Sequence, residues 1–344
     1  MSDQAARREA TAPTGAAPEA VAPTVVAPAD AAPTVVALGG GHGLHVTLSA
    51  LRQVTTELTA VVTVADDGGS SGRLRQQFGV LPPGDLRMAL AALCGDDEWG
   101  TTWSRVVQHR FDGEGELSGH AVGNLLIVAL WELLGDTVEG LDWIGMLLRA
   151  HGRVLPMAAV PLDIAAEVEG ADPDRPHEIT VVRGQAACAT TQGQVRSISL
   201  VPEDPPACRQ AVEAVNEADW VVFGPGSWFT SVLPHLLVPD LAASLLTTRA
   251  RRLVALNLAP QPGETAGFSP HTHLDVLARH APGLRVDVVL ADTSAALAGL
   301  TQLEKAAEAL GGRLVLADVA MADGSPRHDP RRLAAAYADI FEGE

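Results

Sequence analysis

Thr34-Val-Val-Ala-Leu-Gly39-Gly40-Gly41-His42-Gly43-Leu44 is the stretch that decides the fold. Thr34 to Leu38 is β-branched and apolar without alternation, the pattern of a strand buried on both faces. Four glycines follow, at 39, 40, 41 and 43, and Leu44 to Leu51 reads as a helix. A buried strand that turns through glycines into a helix opens a doubly wound α/β domain. Glycine lets the backbone approach a phosphate without Cβ clashes, and the helix N-terminus offers free N–H donors and a positive dipole end. The G-x-G-x-x-G fingerprint is incomplete, because Leu44 stands where its third glycine would be. The same residues also read as an ordinary tight turn, with His42 a polar loop residue or a phosphate contact.

Outward from this turn the rhythm continues. Ala60 to Ala65 is a second buried strand, followed by an expected polar, glycine-rich loop from Asp66 to Gly84. Asp85 to Leu93, Ala121 to Leu134 and Leu141 to Ala150 read as helices. The middle, from about Val154 to Leu200, is richer in short strands, such as Glu178 to Val182 and Val195 to Leu200. A helix at Pro206 to Asn216 and a strand at Trp220 to Phe223 then restore the alternation. Strands follow at Leu253 to Asn257, Val286 to Leu290 and Leu314 to Leu316, with a closing helix at Arg331 to Ile340. Strands alternating with helices predict a mostly parallel sheet covered on both faces, a Rossmann-like α/β fold. Residues 1–32 are low-complexity Ala/Pro/Thr/Val and are expected to be a disordered tail, leaving 33–344 as one domain.

Composition narrows the function. The formal charge is 24 − 42 = −18, which disfavours nucleic acid and anionic membrane as partners. Lys305 is the only lysine, so arginines and backbone N–H groups must attract any anionic ligand. No lysine adjoins a glycine loop, which rules out a P-loop NTPase. No apolar run approaches the ~20 residues a membrane span needs. The N-terminus opens MSDQAARREA without a signal core, so a cytoplasmic location is expected. Cys94, Cys188 and Cys208 have no paired spacing, which argues against disulfides and a zinc knuckle.

Further loops could carry chemistry. Asp66-Asp67-Gly68-Gly69-Ser70-Ser71-Gly72-Arg73 sits at the carboxyl end of the second strand. Its aspartates suit a divalent cation or ribose hydroxyls, its serines offer donors, and Arg73 can pair bidentately with phosphate. Asp85, in Pro82-Pro83-Gly84-Asp85-Leu86-Arg87, is either a helix cap or a metal or ligand contact, and Asp67 with Asp85 forms the candidate metal pair. Gly224-Pro225-Gly226-Ser227-Trp228-Phe229 again follows a strand; it is no nucleophile elbow, so Ser227 is a hydrogen-bond donor. In Gln261 to Phe268, the ring of Phe268 either stacks on a base or sugar or packs inward. Asn124, in Gly119-His120-Ala121-Val122-Gly123-Asn124, either points its amide into the site or caps a helix. His271, His273 and Asp275 read as an ordinary helix start. In a parallel sheet these strand ends share one edge, which predicts one elongated cleft for a phosphorylated ligand, a nucleotide foremost.

Together the motifs resemble the YvcK branch of the YvcK/CofD family. They are ALGGGHGL, VTVADDGGSSGRLR, PPGDLRMAL, HRF, SGHAVGNLL, RVLP, ADWVVFGPGSWFTSVLPHLLVP, NLAPQPGETAGF and RHDP, spread from about Pro33 to Arg332. His42 and the WFTS segment resemble the actinobacterial form. The resemblance implies a three-layer Rossmann-like (CofD-like) domain, often a homodimer, that binds a UDP-sugar such as UDP-N-acetylglucosamine. It implies a regulatory role in gluconeogenic growth, cell-wall synthesis and cell shape, with cell-wall synthesis proteins as partners. It places the nucleotide against Gly39, Gly40, Gly41, His42, Gly43, Asp66, Asp67, Asn124, Gly224, Gly226 and Ser227. Phe268 falls where relatives often have a tyrosine facing the sugar, so the ring is kept and the hydroxyl lost. CofD relatives instead transfer a phospholactyl group to a deazaflavin with Mg2+. Their deazaflavin-side sequences differ from DGGSSGR and PPGDLR here, which favours a ligand-binding regulator over the transferase.

Overall fold

The computed structural model describes residues 32–261, 263–297 and 299–343. The tail expected at 1–32 lies outside the described residues except for Ala32. Among the described residues ten strands form in chain order: β1 Val35–Gly39, β2 Leu58–Val62, β3 Arg153–Pro156, β4 Asp163–Glu169, β5 Ile179–Arg183, β6 Gln194–Val201, β7 Trp220–Phe223, β8 Arg251–Ala255, β9 Val288–Asp292 and β10 Arg313–Ala317. Seven of them make one sheet in the order β10-β9-β8-β7-β1-β2-β3, and every pairing in it is parallel.

β1 is central because both its faces are covered. All five of its residues are buried, and Ala37 pairs with Ala60 of β2 on one side and Val222 of β7 on the other. From β1 the chain moves outward to β2 and β3; from β7 it moves the other way to β8, β9 and β10. Crossovers in parallel sheets are right-handed, so this reversal puts the two sets of helices on opposite faces. Helix Gly41–Leu51 packs on Gly84–Ala92 and Pro330–Glu342, while Pro239–Thr247 packs on Arg209–Glu217 and Pro270–His280 on Leu300–Ala309. The Rossmann-like α/β reading therefore holds, and the switch point lies between β1 and β7.

Two expectations change. The segment 66–84, expected as loop, contains the helix Gly69–Phe78. Its sequence is polar, and Leu74 is its one buried large apolar residue, so it lacks the apolar stripe that signals a helix. Gly79 ends it in the left-handed conformation at φ 67°. Of the strand-rich middle only β3 joins the main sheet, at its edge. β5-β4-β6 is a separate antiparallel sheet, with β4 in its centre and the side chains of Ile179 and Val181 exposed on β5. Main-chain bonds from Met157 to Val62 O, 2.8 Å, and from Leu162 to Val64 O, 3.1 Å, tie the lead-in to β4 onto the end of β2. Among the described residues no single helix is long and apolar enough to cross a membrane.

Leu38, at 0% exposure in β1, and Leu316, at 38% on the edge strand β10, test this layering. Leu38→Ala is expected to cost about 2–5 kcal/mol, and Leu316→Ala about 0.5 kcal/mol. Urea denaturation of the two variants measures both; equal losses would contradict the layering.

Candidate functional site

At the switch point the two glycine turns touch. Gly43, in the first turn of helix Gly41–Leu51, lies against the carbonyl of Pro225 and the Cα of Gly226, with no room for a Cβ. Gly41 adopts φ 56°, a left-handed backbone that favours glycine. The helix begins at Gly40 with no side-chain cap of its own and no acidic residue in its first turn, and of its first N–H donors that of Gly41 meets the Asp85 carboxylate. Side chains behind the turns fix them. Asn257, just past β8, clamps Gly226: its Oδ1 accepts from the Gly226 N–H at 2.9 Å and its Nδ2 donates to Gly226 O at 2.8 Å. Thr47 Oγ1 donates to Gly224 O at 3.1 Å. Thr63 Oγ1 lies 2.9 Å from Ser231 O and 3.2 Å from Gly39 O, so one buried hydroxyl holds the floor between the turns.

The Gln261 to Phe268 loop joins through Glu264, which is 4% exposed. Its carboxylate accepts from Phe229 N–H at 3.1 Å and Thr230 Oγ1 at 2.5 Å. Burial pushes this carboxyl above the usual range, and those hydrogen bonds oppose the shift. Phe268 is drawn inward, 7% exposed and edge-on to Phe229 and His273. Of its two readings, packing is the one this geometry supports. His42 is exposed at the rim, and Ser227 is half-buried at the start of the next helical turn.

The acids separate by role. Asp67 turns away from the switch point: its Oδ1 accepts from Ala186 N–H at 3.0 Å, at the start of helix Gln185–Thr190. It thereby docks the small sheet's helix and does not face Asp85. Asp66 accepts from Gly68 N–H at 3.0 Å, and its other oxygen lies beside Gly84. Asp85 fills the space beside Gly40 and accepts from the Gly41 N–H. Burial, and then the charge of Asp66, push the Asp85 carboxyl up to about 7. The acid beside Asp85 is thus Asp66, a correction to the Asp67–Asp85 pair. Among the described residues no group of three or more His, Cys, Asp or Glu side chains is placed to hold a metal ion. Asp66 and Asp85 alone suit Mg2+, which takes one or two carboxylates and completes its shell with phosphate oxygens and water.

Ser70 and Asn124 form a buried network. Ser70 Oγ sits 3.0 Å from His120 Nδ1 and accepts from Asn124 Nδ2 at 3.0 Å, while Asn124 Oδ1 accepts from Arg87 Nε at 2.9 Å. Ser71 is buried beside Asp66 under Gly84. Arg73 donates to Ser118 O at 2.7 Å with its side chain at the surface. Thr63, Asn257, Glu264 and Arg87 were not singled out by sequence. Asn257 and Arg87 stand at the ends of segments that were, a strand end and PPGDLR.

A family model described as 2-phospho-L-lactate transferase CofD matches residues 35–319. The chain belongs to the CofD/YvcK family. A relative from Mycobacterium tuberculosis strain H37Rv is 56% identical over 301 residues, covering 87% of each chain. The gluconeogenesis factor of Listeria monocytogenes is 36% identical over 320 residues, covering 89% of this chain and 95% of its own. A crystallised UPF0052-family protein from Bacillus halodurans superposes with a TM-score of 0.76 at 33% identity, over 88% of this chain and 97% of that one.

Two outcomes test the site in this CofD/YvcK-family chain. Gly43→Ala forces a Cβ into the Pro225 carbonyl and is expected to cost about 1–3 kcal/mol, read by denaturant titration. Asp85 has a folded-state pKa near 7 against about 3.9 when unfolded. Across that window the folded state keeps a proton that the unfolded state has lost, so Asp85 lowers stability as pH rises from about 4 to about 7. The melting temperature of Asp85→Asn minus that of wild type should therefore grow over this window and level off above it. A difference flat in pH would refute the assignment.

Proposed function

We propose that the chain is a UDP-sugar-binding regulatory protein, with UDP-N-acetylglucosamine the foremost ligand, acting in gluconeogenic growth, cell-wall synthesis and cell shape. One observation carries the reading: two glycine turns in van der Waals contact at the switch point between β1 and β7. Open α/β sheets bind ligands at that point, with the phosphates on helix N-termini. Gly39 to Gly43 and Gly224 to Ser227 receive the diphosphate, and the uncapped start of helix Gly41–Leu51 supplies N–H donors. The gluconeogenesis-factor name of the Listeria relative supports the physiological side. The protein works in the cytoplasm, as a homodimer, through partners in cell-wall synthesis.

A second reading, a phospholactyl transferase, draws on the family description and on Asp66 beside Asp85. In that case Mg2+ bound there would neutralise phosphate charge. A deazaflavin product detected by mass spectrometry after incubation with Mg2+ would favour this reading over the first.

Calorimetry with UDP-N-acetylglucosamine is the direct test, with GTP as the contrast. Asn257→Ala frees the Gly226 main chain and is expected to weaken UDP-sugar binding by about 1–3 kcal/mol. No heat with any UDP-sugar would overturn the regulatory reading.

A further inference from the structure

A second group of cations lies beyond the acidic pair. Arg87 is 4% exposed, and its stem fills the space that a Cβ on Gly123 would need. Its one hydrogen bond runs from Nε to Asn124 Oδ1, and among the described residues it forms no ion pair. The nearest charges that act on it are Arg110, Asp85 and Asp66. Arg110 and Arg73 both act on His120, the neighbour of Ser70. Arg110 Nη1 donates to Gly119 O at 2.9 Å and Arg73 Nη2 to Ser118 O at 2.7 Å, so both arginines bond neighbouring carbonyls of one exposed turn. Each keeps further N–H donors, because a guanidinium carries five.

Two helix N-termini meet at the same place. Gly69–Phe78 and Val122–Leu134 start without side-chain caps or first-turn acids, and Ser70 of the first bonds Asn124 of the second. Two uncapped helix starts beside these arginines concentrate positive potential, and a buried guanidinium without a paired counter-ion is costly. Asp66 and Asp85 offset part of this without pairing with Arg87. Asp85 is committed to the first glycine turn, at Gly40 and Gly41.

We propose that Arg87, Arg110, Arg73 and the two helix starts form a second anion subsite, which takes a phosphate group. The acidic pair separates it from the glycine crevice. The phosphate belongs either to a separate small molecule or to the far end of the crevice ligand. The subsite stands whether or not the crevice holds a UDP-sugar.

Inorganic phosphate is the probe, titrated into the full chain and followed by 31P line broadening. Wild type should bind phosphate saturably. Arg110→Gln, a surface change, should weaken it about tenfold or more with an unchanged melting temperature. Arg87→Lys tests the buried member, and Arg175→Gln, in a distant surface ion-pair group, should bind like wild type. Repeating the titration with saturating UDP-N-acetylglucosamine identifies the source: additive binding means a separate molecule, and mutual exclusion means one ligand reaching both sites. The subsite is overturned if wild type shows no saturable phosphate response, or if Arg110→Gln binds as wild type does. UDP-sugar calorimetry on the same samples reads the crevice independently, so either site can fail alone.

Discussion

The close approach of Gly43 to the Pro225–Gly226 main chain is the constraint on which the site depends. A parallel sheet that reverses its winding leaves a gap between the two strands at the reversal. Here that gap lies between β1 and β7, and the turns leaving those strands close onto each other across it. Side chains at the contact would force the turns apart. Glycine at 43 and 226 instead leaves a wall of main-chain amides at the ends of the strands. The surface of the crevice is thus mostly backbone, and its shape is set by the side chains that the glycines lack.

Backbone alone does not hold a turn still, and the buried polar side chains take that role. Thr47, Thr63, Asn257 and Glu264 each bond main-chain or hydroxyl groups of a glycine turn or of the helical turn after Ser227. A buried polar group without partners is costly, so these bonds are demanded by burial as much as by function. The result is preorganisation: under the proposed function an anion entering the crevice would meet donors already fixed and lose less entropy on binding.

Most of the fold was legible in the sequence, because β1, β2, β7, β8 and β9 are buried on both faces and announce themselves as apolar runs. The helix Gly69–Phe78 was not legible, since its contacts run through Ser70, Ser71 and Gly72 and show no apolar period. In the separate sheet, β5 and β6 were visible as short strands and the central β4 was not named, since nothing in these strands marks that they pair with one another and not with the main sheet. Within the site, glycines at strand ends could be read directly. The acids could not be sorted, for a carboxylate's role depends on which N–H it meets: Asp67 meets Ala186, and Asp85 meets Gly41. Phe268 likewise offered two readings until its neighbours Phe229 and His273 were known.

The charge distribution completes the argument. A chain with a net charge of −18 repels anions at long range, and screening limits that repulsion to roughly 8–10 Å in ordinary salt. Under the proposed function, capture of a phosphorylated ligand would have to come from short-range groups in a poorly solvated setting. Helix N-termini and arginines held on carbonyls suit that need: the helix starts carry no acid in their first turn, and Arg73 and Arg110 bond main-chain oxygens. Asp66 and Asp85 offset part of this positive charge, Asp66 at the Gly68 N–H and Asp85 at the Gly41 N–H. Burial and the neighbouring Asp66 charge push the Asp85 carboxyl up to about 7, so this compensation weakens when Asp85 is protonated.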